Sequence, residues 1–215
     1  MRRPALLLSL LFLIPASSNA QVSFRGFGDA GFTVFTATQS FKAILGKPSG
    51  PVYGGGIEIS ERQYFLSIGA RRFRRTGHRV FVFENQIFPL NVKDTITVTP
   101  FDLTFGYRFA SPTAAARLRR VPRFVPYAGG GIGWYGYQER SDHATDAENV
   151  KKTHTGYHVL AGAEVPLRSW LSAAVDAQWA AVPNALGDSG TGVAKVYDEH
   201  DLGGFTLRAK IILGR

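Results

Sequence analysis

The chain has 215 residues, 25 lysines and arginines against 16 aspartates and glutamates, and a net charge of +9. It has no cysteine, which leaves no residue for a disulfide, a thiolate metal site or a lipoprotein anchor. Twenty-four glycines, 13% aromatics and a single methionine favour strands and turns over helices.

In chain order, residues 1–20 read first, as an export signal. Arg2 and Arg3 form a basic start, Ala5 to Pro15 an apolar run, and Ser18-Asn19-Ala20 a small-residue cleavage site. The apolar run is too short to span a bilayer, and no later stretch approaches ~20 apolar residues. Without Arg2 and Arg3 the basic residues number 23 against 16 acidic ones. That balance is compatible with anionic partners such as phosphate-bearing lipid, while an exported chain has no nucleic acid to bind. Residues 21–215 suit one domain.

From residue 24 onward, apolar and polar side chains alternate in eight segments, and a strand sends successive side chains to opposite faces. In 24–35, Phe24, Ala30, Phe32 and Val34 oppose Arg25, Asp29 and Thr33, with Phe27 and Phe35 out of pattern. In 51–59, Tyr53, Ile57 and Ile59 oppose Gly54, Gly56 and Glu58, and in 64–73, Tyr64, Leu66 and Ile68 oppose Ser67, Gly69 and Arg71. In 97–109, Phe101, Leu103, Phe105, Tyr107 and Phe109 oppose Asp102, Thr104 and Arg108. In 124–137, Ala128, Ile132 and Trp134 oppose Tyr127, Gly129, Gly131, Gly133 and Tyr135. Segment 155–165 sets Tyr157, Val159 and Ala161 against His158 and Glu164, and 170–181 sets Val175 and Trp179 against Asp176 and Gln178. In 205–213, Phe205, Leu207, Ala209, Ile211 and Leu213 oppose Thr206, Arg208 and Lys210, with Ile212 the exception.

An even number of strands lets an antiparallel meander close without an edge. Connections 60–63 and 166–169 are tight, whereas 38–50, 142–152 and 183–200 are longer and polar. Short turns at one rim and long loops at the other are the pattern of outer-membrane barrels. Connection 110–122, with Arg117, Arg119 and Arg120, is long although it falls at the short-turn rim. The predicted fold is therefore all-β: a transmembrane, eight-stranded, antiparallel up-and-down β-barrel over residues 21–215.

Three stretches carry a resemblance. They are Pro126-Tyr127-Ala128-Gly129-Gly130-Gly131-Ile132-Gly133-Trp134-Tyr135, then Gly156-Tyr157-His158-Val159-Leu160-Ala161-Gly162-Ala163-Glu164, and the closing Gly203-Gly204-Phe205-Thr206-Leu207-Arg208. On these the chain resembles the small outer-membrane β-barrel domains of Gram-negative-type bacteria, the group that includes the OmpA-family membrane domain and the OmpX type. The resemblance implies an outer-membrane location and says little about activity. One departure is plain: such barrels usually end in an aromatic residue, whereas this sequence ends Leu213-Gly214-Arg215.

A soluble calycin-type barrel would turn the same two faces the other way, with the apolar face around a ligand. The polar face decides between them. It holds Arg25, Arg71, Arg108, Arg208 and Lys210 with Asp29, Glu58, Asp102, Glu164 and Asp176, five charges of each sign. A water-poor interior needs that balance, because an unpaired buried charge costs several kcal/mol, and a soluble surface seldom exposes so continuous an apolar band. The ten residues are thus predicted to form an interior charge network. Glycines 129, 131 and 133 are predicted to leave room for arginines of neighbouring strands.

The basic run Arg71-Arg72-Phe73-Arg74-Arg75 with Arg79 marks a rim. Guanidinium forks suit phosphate, so Arg72, Arg74, Arg75 and Arg79 are candidate contacts to lipopolysaccharide, against the alternative of a merely solvated rim. Apolar Val80 to Phe83 and Ile87 to Leu90 lie beyond it and predict a projecting hairpin, against the alternative of a loop folded back over the mouth. Lipid hydrolysis would need a serine, a histidine and an acid meeting at the lipid-facing surface. His158 faces inward, where it could meet Asp176, and no serine of matching height faces lipid beside it. No catalytic group, cofactor or metal is expected. The reading is a monomeric envelope barrel with a filled lumen that acts structurally or through its loops, with outer-membrane lipid and a loop-bound protein as partners. A narrow solute channel is second, and a lipid A-modifying enzyme third.

Overall fold

The computed structural model describes residues 22–84, 86–109, 124–141, 150–187 and 193–214. The export segment 1–20, the long connection 110–122 and Arg215 lie outside the described residues.

Eight strands appear where the alternation places them: β1 (Val22–Phe35), β2 (Ser49–Glu61), β3 (Tyr64–Phe83), β4 (Gln86–Arg108), β5 (Val125–Ser141), β6 (Val150–Arg168), β7 (Leu171–Ala181) and β8 (Gly204–Gly214). Each pairs antiparallel with its sequence neighbour, and β1 also pairs with β8, which closes the barrel. Register follows from the pleat. Gly31 sits opposite Arg208, Asp29 opposite both Gly54 and Lys210, and Asp176 opposite Arg208, so inward positions meet inward positions across every ladder named here. Two short helices complete the described chain, α1 (Thr38–Leu45) and α2 (Val193–Val196).

The exterior is the apolar parity. Phe24, Phe32, Ile57, Leu66, Phe105, Val159, Val175, Leu207 and Ile211 are all exposed there. Aromatic pairs mark its two edges: Tyr64 with Phe105 at 5.9 Å and Tyr107 with Phe109 at 5.5 Å on one side, Phe101 with Trp134 at 5.9 Å and Tyr157 with Trp179 at 6.0 Å on the other. Along β4 the edges, Phe109 and Phe101, are separated by ~27 Å of strand, which a tilt of ~40° reduces to ~20 Å of height before the rings themselves are added. That matches the apolar belt of a membrane barrel.

The upper interior differs from the expectation. The third nearest the long loops is not charged but apolar: Phe35, Phe73, Ile96, Val98, Tyr135 and Ala180 of the strands pack with Phe41 and Leu45 of α1. Phe35 stacks on Phe41 at 4.2 Å and meets Phe73 edge-on at 4.9 Å. The loop 38–50, read as merely polar, thus folds a helix into the mouth. Glu199 holds its first turn, accepting hydrogen bonds from the Gln39 and Ser40 N–H groups at 2.9 and 2.7 Å. Gly46 ends it in the left-handed region at φ 75, donating to Lys42 O at 2.9 Å.

Strands β3 and β4 run past the mouth and stay paired out to Phe83 and Gln86, so the hairpin projects. A bulge between His78 and Val80 shifts its register. Val80 and Val82 then face a mouth cavity of about 230 Å³ shared with Phe41 and Ile44, while Phe81, Phe83 and Phe88 face outward and exposed.

Candidate functional site: the sealed lumen and the basic outer wall

Below the apolar cap, the charged residues fall into two layers. Nearest the short turns, Arg25 donates to Glu58 at 2.6 Å and to Glu164 at 2.6 Å. Arg108 donates to the same two carboxylates, at 2.5 Å to Glu58 and 3.3 Å to Glu164. Two cations and two anions thereby form a closed ring of bonds, with Glu164 fully buried at 0% exposure. Phe65 covers one side, its ring 4.7 Å from the Arg108 guanidinium.

In the middle layer Arg71 bridges Asp29 at 3.0 Å and Asp102 at 2.5 Å. Arg208 donates its Nε to Asp176 at 2.7 Å, Lys210 binds the other oxygen of Asp176, and the Tyr127 hydroxyl adds a third hydrogen bond at 2.9 Å. Three cations face three anions. The structure therefore places all ten predicted interior residues in the lumen and divides them into two electroneutral sets, which is what a low-dielectric interior requires.

Several details depart from the sequence reading. His158 meets not Asp176 but Thr104, with Nε2 2.8 Å from Oγ1, and its Nδ1 lies 3.9 Å from Asp102. At 1% exposure its ring reaches neither lipid nor water. The β5 glycines do not cradle the arginines: a Cβ on Gly131 would lie 1.9 Å from the Leu103 carbonyl, and one on Gly133 2.6 Å from Asp102 Oδ1. The tightest glycine–arginine contacts are instead on β1 and β2. A Cβ on Gly31 would meet Arg208 Cγ at 2.9 Å, and one on Gly54 would meet Arg71 Cγ at 2.7 Å. The three residues out of pattern in the sequence have places inside. Phe35 belongs to the cap, Ile212 is buried with Phe65 and Tyr127, and Phe27 packs there beside Lys210, its centroid 5.2 Å from Nζ.

The basic run splits by parity. Arg72 and Arg74 are exposed on the outer wall. Arg75 turns the other way and donates to Ser49 O at 2.6 Å, and Arg79 lines the mouth cavity, so these two candidates do not face lipid. Beside Arg79, Asp94 is buried at 1% exposure, and burial together with the neighbouring Glu139 pushes its carboxyl up to about 7.

Neither a protein-family model nor a curated protein matches the chain. Among solved structures, Neisserial surface protein A matches with a TM-score of 0.50 at 10% identity, over 89% of this chain and 96% of that one. The chain folds as a small outer-membrane β-barrel. The N-terminal β-barrel domain of Pseudomonas aeruginosa OprF gives 0.47 at 13% identity over 89% and 97% of the two chains. A major outer membrane protein of Thermus thermophilus gives 0.46 at 12% over 91% and 100%. At these identities the likeness is one of fold.

Proposed function

We propose that this protein is a sealed, non-enzymatic barrel of the bacterial outer membrane, delivered there by its export signal. It serves the envelope as a rigid anchor that displays the β3–β4 hairpin and the mouth loops to the exterior. The observation that carries this reading is the lumen. Two ion-paired layers and an apolar cap stand in series, and among the described residues the cavities beside the ion pairs measure about 50 and 20 Å³, room for a few waters. A solute channel would need those layers to part at once, and catalysis would need a reacting group that substrate can touch. The exposed Phe81, Phe83 and Phe88 of the hairpin, whose β3 edge has no strand partner beyond Phe73 on the β2 side among the described residues, supply a surface for a protein partner. Planar-bilayer recording of the refolded protein tests the seal: no discrete conductance steps are expected, and reproducible steps from purified monomer would replace the anchor with the narrow channel. A pull-down comparing the intact chain with one whose residues 78–93 are cut to a tight turn tests the display role, which predicts a partner retained only by the intact hairpin.

A further inference from the structure

The mouth holds a pocket that neither the sealed lumen nor the projecting hairpin uses. Its cavity of about 230 Å³ lies between the inner face of β3–β6 and the loop elements α1, α2 and 185–187. Ile44 of α1, Val80 and Val82 of β3, Ile96 of β4, Leu186 and Val193 of α2 give it apolar sides. Ile96 also belongs to the apolar cap, as does Phe41 beside it, so the floor is shut toward the lumen. In proportion to a cavity of ~150 Å³ that takes benzene, the space suits a molecule of about nine non-hydrogen atoms.

Polar groups enter this apolar space at few points. Arg79 of β3, Glu139 of β5 and Lys152 of β6 line it from the wall, whereas the lining residues of α1, α2 and 185–187 carry no charge. Glu139 accepts from the Tyr137 hydroxyl at 3.0 Å and is hydrogen-bonded to the buried Asp94. Burial and Glu139 hold the Asp94 carboxyl up to about 7, so in mildly acid medium this pair carries one negative charge against two cations. The described groups around the cavity then sum to one positive charge. Ser40 lines the same space at 4% exposure, and its hydroxyl has no hydrogen-bond partner among the described residues. A buried donor left unmatched is costly, and a bound acceptor removes that cost. We propose that the mouth cavity binds a small amphiphilic carboxylate from outside the barrel, its apolar body of about six carbons lying among the aliphatic sides. The positive charges of Arg79 and Lys152 hold the head, the guanidinium fork matching two carboxylate oxygens, and the Ser40 hydroxyl supplies a neutral donor to it. This goes beyond the anchor reading: a pocket above a shut floor binds whether or not the lumen below conducts.

Titration calorimetry of benzoate into the full chain in phosphatidylcholine nanodiscs tests the site, at about pH 6, below the Asp94 transition, with empty discs subtracted. Benzoate fits the volume and carries the anionic head, while benzylamine keeps the ring and reverses the charge. Saturable benzoate binding is expected, with slowed amide exchange at Ser40 and Ile44, and benzylamine should bind at least about tenfold more weakly. Ala194→Phe puts a ring into the cavity from α2, outside the barrel wall, and should weaken benzoate at least about tenfold; Arg79→Gln should weaken it about fivefold. No saturable heat beyond that of empty discs, equal affinity for benzylamine, or benzoate affinity unchanged in either variant overturns the proposal. Tryptophan quenching by brominated lipid in the same discs reports insertion of each variant, so a lost site and a lost fold give different results. Bilayer recording reports the seal separately.

Discussion

Replacing Asp176 with asparagine removes one charge and almost no volume, and the structure fixes what that should cost. Asp176 is buried at 1% exposure and is the carboxylate bound by both Arg208 and Lys210. The amide oxygen of Asn can still accept from the Tyr127 hydroxyl, so that 2.9 Å hydrogen bond is largely kept. What is lost is charge balance: the middle layer goes from three against three to three against two, and Arg208, 1% exposed, keeps its charge without its bound carboxylate. Breaking a buried pair in this way costs ~3–5 kcal/mol, a hundredfold to several-thousandfold in the unfolding equilibrium. Urea unfolding in lipid vesicles, followed by tryptophan fluorescence, measures it. Adding Arg208→Met should return part of the loss, because the stranded charge is then gone; the double variant should be more stable than Asp176→Asn alone. A single-variant loss below ~1 kcal/mol, the range of exposed pairs, or strict additivity of the two changes would refute the buried-layer reasoning.

Three further outcomes are expected. Asp94 releases its proton near 7 in the folded protein, against an ordinary value of 3.8, so the stability it contributes is complete below ~4 and is lost as pH rises through about 7. Amide exchange at Gly77 and Thr95, its neighbours in the β3–β4 ladder, should therefore quicken beyond the intrinsic rate between about pH 5 and about pH 8, and Asp94→Asn should remove that excess. Gly31→Ala should cost ~1–3 kcal/mol, since its Cβ would fall 2.1 Å from the Leu207 carbonyl and 2.9 Å from Arg208 Cα. Gly28→Ala on the outer face, with nothing nearer than 4.0 Å, should be tolerated, and equal urea midpoints for the two would count against the cradle. Glu199→Gln should weaken the grip on α1 by ~1 kcal/mol, seen as faster exchange at Gln39 and Ser40 with the rest of the barrel unchanged.

The eight strands were legible because period-two alternation is local: each residue's face follows from its neighbour's, and the partition of charges follows from the faces. The ten interior residues could be named on that ground alone. Their pairing could not, because it depends on how a closed sheet staggers one strand against the next. His158 and Asp176 share the inward parity, yet the register brings Asp102 and Thr104 to the histidine. The apolar cap escaped for a different reason. Phe73, Ile96 and Val98 are as greasy as any lipid-facing residue, and composition does not say which side of the sheet they occupy. Their parity does: carrying the inward count of β3 past Arg71 reaches Phe73, and carrying that of β4 back from Asp102 reaches Val98 and Ile96. The same count separates Arg72 and Arg74 from Arg75 and Arg79. Helix α1 left the weakest trace, eight residues whose stability comes from Phe41 and Leu45 in the mouth and from a carboxylate 160 positions away from Gln39.

The central claim is that the apolar parity faces lipid and the charged parity fills the lumen, and the protein's own tryptophans test it. Trp134 and Trp179 lie on the outer face at 39% and 45% exposure, and Trp170 lies in the β6–β7 turn at 56%. In vesicles of lipid brominated along the acyl chain, the unmodified protein should lose most of its tryptophan fluorescence, with shallow bromines quenching more than deep ones because the rings sit at the belt edges. Emission indifferent to brominated lipid but quenched by aqueous iodide would contradict the account, because the apolar face would then not be the one in the membrane.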